Sequence, residues 1–350
     1  MSGKNGPSDK KRRNRAPSGQ PRMSDVAELA GVSSLTVSRV FHHPEKVREN
    51  TRRKVEEAAR KLHYVPNLVA GSLASTNSKV IAALVPHISN NVFSDVVQGV
   101  SDVLRSQGYY LLLGSTGASP EEEERLVTTL LGQRPAGMIL YGGNHTSRTR
   151  GLLKRADIPV VETGNLVKRR IDRVVGFSNF DAGKAMTRFL AERGYRRIGF
   201  VSAPRRTNDR VKHRWQGYLE VVRELGLVES PDLYEEVPPL QLEEGARALT
   251  RIIERKTQVD AVFFASDVLA VGALFECQRR GISVPKDLAI VGFDDQQIAT
   301  QVVPRLTTVH VPRYQIGLKA AEMLLQALDN PKAKKRVIDV GFEIADRETA

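Results

Sequence analysis

Apolar positions along this chain keep two different rhythms. Between Met23 and Pro66 they recur at helical spacing. Val26, Leu29 and Ala30 fall at i, i+3, i+4, the pattern of an amphipathic helix, and Ser24 is suited to cap its start. Gly31 ends that helix, because glycine enters the left-handed region without a Cβ clash, and the Gly31-Val32 turn leads to a second. Ser33 can cap the second helix, whose inner face is Val37, Val40 and Phe41. Its outer face carries Ser34, Leu35, Ser38, Arg39 and His42, side chains able to bond base edges, touch a thymine methyl or hold phosphate. A third helix, about Asn50 to Leu62, buries Val55, Ala58, Ala59 and Leu62 and exposes Arg52, Arg53, Lys54 and Arg60. Two readings fit this spacing: an ordinary three-helix bundle with a charged surface, or a head that pushes its second helix into the major groove.

From about Lys79 the rhythm changes. Short apolar runs at Val80–Pro86, Tyr109–Leu113, Gly137–Tyr141, Ile158–Val161, Arg197–Ser202, Val259–Ala265 and Leu288–Phe293 predict buried parallel strands. Amphipathic stretches at Phe93–Gln107, Ala182–Arg193, Trp215–Leu225, Leu242–Glu254 and Leu269–Arg280 predict the helices between them. Such alternation means parallel α/β sheets covered on both faces. About ten strands exceed one domain's usual share, and the pattern restarts near Phe177, so two α/β lobes in tandem are expected. Ligands of such sheets bind at the carboxyl ends of strands. The strand tails here are polar: Pro86-His87-Ile88-Ser89-Asn90-Asn91, Tyr141-Gly142-Gly143-Asn144-His145, Ala265-Ser266-Asp267 and Phe293-Asp294-Asp295.

The wording DVAELAGVSSLTVSRV, followed by TRRKVEEAARKLHYVPN, closely resembles the headpiece of the LacI/GalR family of bacterial transcription repressors. The resemblance runs from about Met23 to the C-terminus. It implies a DNA-reading helix at about Ser33 to Phe41, with Ser34 and Leu35 selecting operator bases and Thr36, Ser38 and Arg39 making constant phosphate and base contacts. His42 stands where the family usually has Asn. It also implies a hinge helix within Pro66–Ser75, where Asn67 joins the DNA contacts and Leu73 wedges open a minor-groove base step. Gly71 costs so short a helix about 1 kcal/mol against Ala, so the hinge is expected to order only on DNA. A plain linker is the other reading of this segment.

For the remainder, the resemblance implies a bilobed core of the periplasmic sugar-binding type. It places effector contacts at Phe93, Tyr141, Phe177, Asn179, Arg214, Ser266, Asp267 and Asp294. Ser266 replaces the usual Asn, and Gly164 falls where sugar-binding members often have Asp. Other roles stay open: Asp267 could cap the helix that follows it, and Tyr141 and Phe177 could be core aromatics. The expected organisation is an all-α helix-turn-helix head followed by two doubly wound parallel sheets. Residues 1–22 form a basic arm, 23–65 the DNA-binding domain, 66–78 the hinge and 79–350 the core. Within the core, one lobe is assigned 79–176 plus 307–332 and the other 177–306 plus 333–350.

Composition sharpens this picture only in places. The chain has 350 residues and a formal charge of +13. The first 22 residues hold seven Lys or Arg against Asp9 alone, which suits a phosphate-attracting or merely solubilising leader. No run approaches the ~18 apolar residues of a membrane span, so no membrane partner and a cytoplasmic location are expected. The single cysteine, Cys277, excludes an intramolecular disulfide and a Cys-based zinc cluster and reads as a packing residue. No GxGxxG follows a strand and no Walker loop occurs, so neither a cofactor nor an enzyme is expected. Asp294-Asp295 resembles an acid–base pair, but neighbours at a strand end point apart. The rival class is a sugar-acid enzyme on an α/β scaffold.

Arg205, Arg206, Arg210, Lys212, His213 and Arg214 crowd one strand-to-helix segment, which suits either a solvated surface or a carboxylate site. The phrases LVPHISNNVFSDVVQGV, NHTSRT, VGFSNFDAGKAMT and AVGALFECQRRGISVP resemble the gluconate-utilisation repressors within the family. That resemblance implies a sugar-acid effector, gluconate first and 2-ketogluconate second, with a neutral sugar as the alternative. It also implies a homodimer on double-stranded operator DNA; the leucine-heptad tail of tetrameric relatives is absent.

Overall fold

Apolar runs of four to six residues cannot stand alone as strands, and here they are pooled into two separate sheets. The computed structural model describes residues 21–65, 78–88, 91–167, 169–238, 241–255, 257–330 and 336–350, without the side chain of His42. The basic arm and the hinge, including Asn67 and Leu73, lie outside the described residues. The chain divides into two units between Asn77 and Ser78.

The first unit contains α1 (Met23–Ala30), α2 (Ser34–His42) and α3 (Glu49–Lys61). Val26, Val37 and Val55 are fully buried at its centre, joined by Ala27, Val40, Ala58 and Ala59. Each buried valine contributes roughly 1.5–3 kcal/mol of apolar transfer. Gly31 takes φ +68° and closes α1 as expected. Two details differ. Arg22, not Ser24, precedes the first helical residue, because Asp25 reaches back to accept the Arg22 N–H at 2.8 Å. Leu29 is 52% exposed, since Ala27 beside Val26 fills the inner face in its place.

The second unit holds both sheets. The first sheet is parallel, ordered β11 (Val337–Asp339), β5 (Arg173–Gly176), β4 (Val160–Thr163), β3 (Gly137–Tyr141), β1 (Val80–Val85) and β2 (Tyr110–Ser115). The second, also parallel, is ordered β7 (Tyr234–Glu236), β6 (Ile198–Ser202), β8 (Ala261–Phe264) and β9 (Ala289–Val291). A short antiparallel pair, β10 (Thr308–His310) and β12 (Glu343–Ala345), continues from β9 through a Val291–Thr307 bridge. Around the first sheet pack α4 (Asn91–Ser106), α5 (Pro120–Gly132), α6 (Ser147–Arg155) and α11 (Arg313–Asp329). The second is flanked by α7 (Asn179–Glu192), α8 (Asp209–Glu224), α9 (Leu242–Ile253) and α10 (Asp267–Arg280).

The lobes therefore exchange chain later than the expected 306/307 and 332/333. Strand β10 belongs with the second sheet, and β11 is the outermost strand of the first. Both are three-residue strands interrupted by polar side chains, with no longer apolar run around them to reveal them. Strand β2 also departs from the buried strand expected at Tyr109–Leu113. It closes the sheet edge with Tyr110 67% and Leu112 39% exposed, because apolar content does not distinguish an edge from an interior. Cys277 is buried in the α10 core, and burial, with Glu276 nearby, pushes its thiol up to about 12, as a packing role requires.

Three helix pairs meet through glycines. Gly99 of α4 faces Tyr314 O and Gly317 of α11 faces Val96 O; Gly245 of α9 and Gly272 of α10 face Leu269 O and Leu242 O. In the α7–α8 pair, a Cβ on Gly183 would lie 2.2 Å from Arg214 O, and one on Gly217 would lie 2.0 Å from Phe180 O. Backbone cannot yield as a side-chain tip can. Gly183→Ala is therefore expected to destabilise the core by about 1–3 kcal/mol and weaken any ligand that needs Arg214, read by denaturant melts and calorimetry. Gly132→Ala, in open space near the end of α5, is expected to be neutral or stabilising by up to about 1 kcal/mol in the same melts.

His145 follows β3 and is buried between two carboxylates. Its Nδ1 lies 2.6 Å from Glu123 Oε1 on α5, and its Nε2 3.2 Å from Glu162 Oε1 on β4, without hydrogen-bond alignment on the second side. Burial alone would depress its pKa, but the two glutamates outweigh it and raise it to about 9. The folded state thus holds this proton more tightly than the unfolded chain. Its contribution, of order 3 kcal/mol, is complete below about pH 6.5 and is lost as pH climbs through about 9. Denaturation midpoints should fall over that window in the parent protein, and the slope should flatten in His145→Gln; equal slopes would contradict the pairing.

Candidate functional site

On the first unit, the Ser33 hydroxyl caps α2 by accepting Thr36 N–H at 3.1 Å, and it also bonds the Thr36 hydroxyl at 2.9 Å. That cap fixes the first turn of the helix. Ser34, Leu35 and Arg39 are exposed on one face, with Ser38 half-buried between them. Leu35 is 61% exposed, an apolar side chain presented to solvent beside hydroxyls and a guanidinium. Val37 and Val40 point inward, as the spacing predicts, and Phe41 packs on Tyr64 with ring centroids 6.0 Å apart. On α3, Arg52 is held by Glu49 at 2.7 Å, while Arg53, Lys54 and Arg60 lie on the surface.

In the second unit the strand ends converge. Tyr141 ends β3 and meets the Phe93 ring edge-on at 4.7 Å. Beside it sits Gly164 at φ +86°; a Cβ there would be strained and 2.7 Å from the Tyr141 ring, so an Asp at this position requires Tyr141 to move. Asn179, the first residue of α7, is fully buried. It donates to Gly164 O at 3.0 Å and Asn165 Oδ1 at 3.2 Å, and its own Oδ1 accepts Arg214 Nε at 2.8 Å.

Arg214 is the centre of this set. Its Nη1 donates to Ala265 O at 2.8 Å, its guanidinium carbon lies 3.4 Å from the Phe293 ring centroid, and Asp294 Oδ1 is 4.0 Å from Nη2. Phe293 stacks on Phe177 at 6.2 Å. Burial lowers the Arg214 pKa to about 10; Asp294 opposes the shift, and Arg210 and Arg313 add to it. The group stays charged at neutral pH. Asp294 adopts φ +122°, a strained conformation that two bonds from Arg313 hold in place: one to its backbone oxygen, and one to Oδ1 at 2.6 Å. Asp295 turns away to His310 at 2.9 Å and Arg347 at 2.6 Å, so the two acids do point apart.

Ser266 Oγ is buried with no hydrogen-bond partner among the described residues, an orphan that a ligand hydroxyl would satisfy. Asp267 departs from one of its two expected roles. It does not cap α10, and both of its oxygens are taken, by the Thr308 hydroxyl at 2.5 Å and Gln296 N–H at 2.7 Å. Burial and then Asp294 push its carboxyl up to about 7. It ties the start of α10 to β10 and to the segment after β9.

Phe177, Asn179, Arg214, Ser266 and Asp294 are thus brought together, with Tyr141 and Phe93 linked through Gly164 and Asn165. Sequence reasoning missed Arg313. Its signal was a cation in the first turn of α11, where the helix dipole disfavours it unless an acid compensates. Asn165 and Asp209 were also underrated. Asp209 Oδ2 accepts Asn165 Nδ2 at 3.0 Å and Gly143 N–H at 3.3 Å, and Asn165 Nδ2 lies 2.8 Å from His213 Nδ1. Burial would raise the Asp209 pKa, but Arg210, Asn165 and His213 together lower it. The assembled groups can hold hydroxyls and an anion. Among the described residues no group of three His, Cys, Asp or Glu is placed to hold a metal ion.

Residues 22–67 match the family described as bacterial regulatory proteins, lacI family, and residues 187–350 match the periplasmic binding protein-like domain. The HTH-type transcriptional regulator GntR of Pseudomonas aeruginosa is 36% identical over 338 residues, covering 96% of this chain and 98% of that protein. GntR of Escherichia coli is 35% identical, covering 93% and 97%. A crystal structure of a LacI-family transcriptional regulator from Silicibacter pomeroyi superposes with a TM-score of 0.87 at 33% identity, covering 94% of this chain and 99% of that one. The helical head and the parallel two-sheet core match that relative's fold. The chain belongs to the lacI family of bacterial regulatory proteins and is a DNA-binding transcriptional regulator.

Proposed function

We propose that this regulator represses genes of sugar-acid catabolism and leaves its operator when a sugar acid, gluconate before 2-ketogluconate, occupies the core. The observation that carries the reading is the buried Arg214–Asn179–Asp294 set beside the unpaired Ser266 hydroxyl, polar groups gathered at strand ends. The exposed face of α2 supplies the other half, with Ser34 and Leu35 as base-reading residues and Ser33, Thr36, Ser38 and Arg39 as positioning contacts. His42, Asn67 and Leu73 complete the proposed DNA contacts from outside the described side chains. Two heads on a near-palindromic operator require a homodimer, and the exposed apolar edge at Tyr110, Leu112 and Leu113 supports a paired assembly. A cytoplasmic setting follows from DNA as the partner. No helix among the described residues is long and apolar enough to cross a membrane.

Operator and effector are coupled by the ligand's differential preference for the two states of the core, typically ~1–3 kcal/mol. Selection from a random duplex pool should enrich one palindrome, and gluconate should weaken binding to it by about 5- to 150-fold. Enrichment with no response to any sugar acid, but a response to a neutral sugar, would replace the ligand class. Arg214→Ala should abolish the effector response while operator binding persists; the reverse outcome would remove Arg214 from the effector site. Leu35→Ala should relax the preference at one base pair per half-site by about 1–3 kcal/mol, and an unchanged enriched sequence would take α2 out of base reading.

A further inference from the structure

The basic run from Arg205 to Arg214 does not behave as one cluster. Arg205 is bonded to Glu236 through its backbone and side chain and covers the Trp215 ring at 4.1 Å. Arg206 and Lys212 are exposed. Arg214 spends its Nε and Nη1 on Asn179 and Ala265. Arg210 is different. Its side chain is only 12% exposed, yet its ion pair is a stretched 3.4 Å contact with Asp209, whose other oxygen is held by Gly143 and Asn165. Its guanidinium lies 5.0 Å from the Tyr141 ring centroid and so close to Gly142 that a Cβ there would be 2.7 Å from Nη1. Arg210 is therefore rooted in the second lobe, on α8, and pressed against the strand end of the first.

Charge around this point does not balance. The guanidiniums of Arg210, Arg214 and Arg313 face the carboxylates of Asp209 and Asp294. Asp267, pushed up to about 7, is only part-charged near neutrality. Between about a half and one positive charge is left over among side chains that are mostly buried, where an unpaired charge is costly. A carboxylate, as a monoanion, neutralises that surplus; a phosphate dianion overshoots it. Tyr141 offers an aromatic wall beside the cation, and the Arg fork suits a planar carboxylate.

We propose that Arg210 is the residue that takes the carboxylate of the effector, with Arg214 serving the hydroxyls, and that this contact at the lobe junction distinguishes an acid from the neutral sugar of the same skeleton. The proposal rests on the sugar-acid reading above. Isothermal titration of the full chain with gluconate, glucitol and glucose 6-phosphate tests it. The parent protein should bind gluconate more tightly than glucitol. Arg210→Gln should weaken gluconate about 10- to 100-fold, the usual range for losing a charge-assisted hydrogen bond, and leave glucitol little changed, a split that general damage to the fold would not produce. Arg210→Lys keeps the charge without the fork and should fall between the two, and it serves if the Gln variant does not fold. A preference for gluconate over glucitol that survives in either foldable variant at its parent size overturns the role of Arg210 and leaves the sugar-acid reading standing. Tighter binding of glucose 6-phosphate than of gluconate overturns the carboxylate assignment. Failure of the parent protein to bind any sugar acid overturns both.

Discussion

Taking a guanidinium out of water costs several kcal/mol, and the core is organised around meeting that cost at Arg214. The side chain is matched on every side: Asn179 Oδ1, Ala265 O, the Phe293 face and, slightly farther off, Asp294. These partners sit on three separate segments, the start of α7 and the tails of β8 and β9, so the charge on α8 can be satisfied only when all four elements are in place. The glycine contact at Gly183 sets the height of the Arg214 backbone against α7. Asp294 in turn is held in its strained conformation by Arg313 from the start of α11. Asn179 extends the chain of contacts in the other direction, through Asn165 to the first lobe. One buried charge thus ties both lobes into a single polar network.

The same logic explains why the site lies where it does. Parallel strands end together, and their carboxyl ends deliver Tyr141, Asn165, Phe177, Ser266 and Asp294 to one region. The proposed DNA-reading face needs no such machinery. A single hydroxyl cap at Ser33 and three buried valines suffice to present Leu35 and Arg39 from a unit that packs its own core.

Much of this was legible from apolar spacing. Gly137–Tyr141 was expected as a strand and is one, and the helices on Phe93–Gln107, Leu242–Glu254 and Leu269–Arg280 agree to within two residues at either end. Strands β5, β7, β10, β11 and β12 escaped because charged or polar residues break their three or four positions, whereas the equally short β8 and β9 sit inside longer apolar runs. The partnering of charges was largely invisible. Arg205 and Arg214 are nine residues apart in one basic run, yet one lies over Trp215 at an ion-paired surface and the other beneath Phe293. Only tertiary contacts separate them. Asp267 read as a ligand contact or a cap; it caps nothing, and its bonds to Thr308 and Gln296, far along the chain, had no sequence signal.

The order of the first sheet carries a mechanical consequence. The chain leaves that lobe from β5 and again from β11, and these strands are neighbours at one margin; the remaining passage, between β10 and α11, enters it. Tethers gathered at a margin act as a door hinge: they resist sliding and permit swinging. The opposite margin is β2, five strand spacings or about 24 Å away. A swing of about 10° would carry that margin by about 4 Å while barely moving the tethered side. The greasy rim at Tyr110 and Leu112 is therefore the tip of a lever, and whatever leans on it feels the largest share of any motion begun in the cleft.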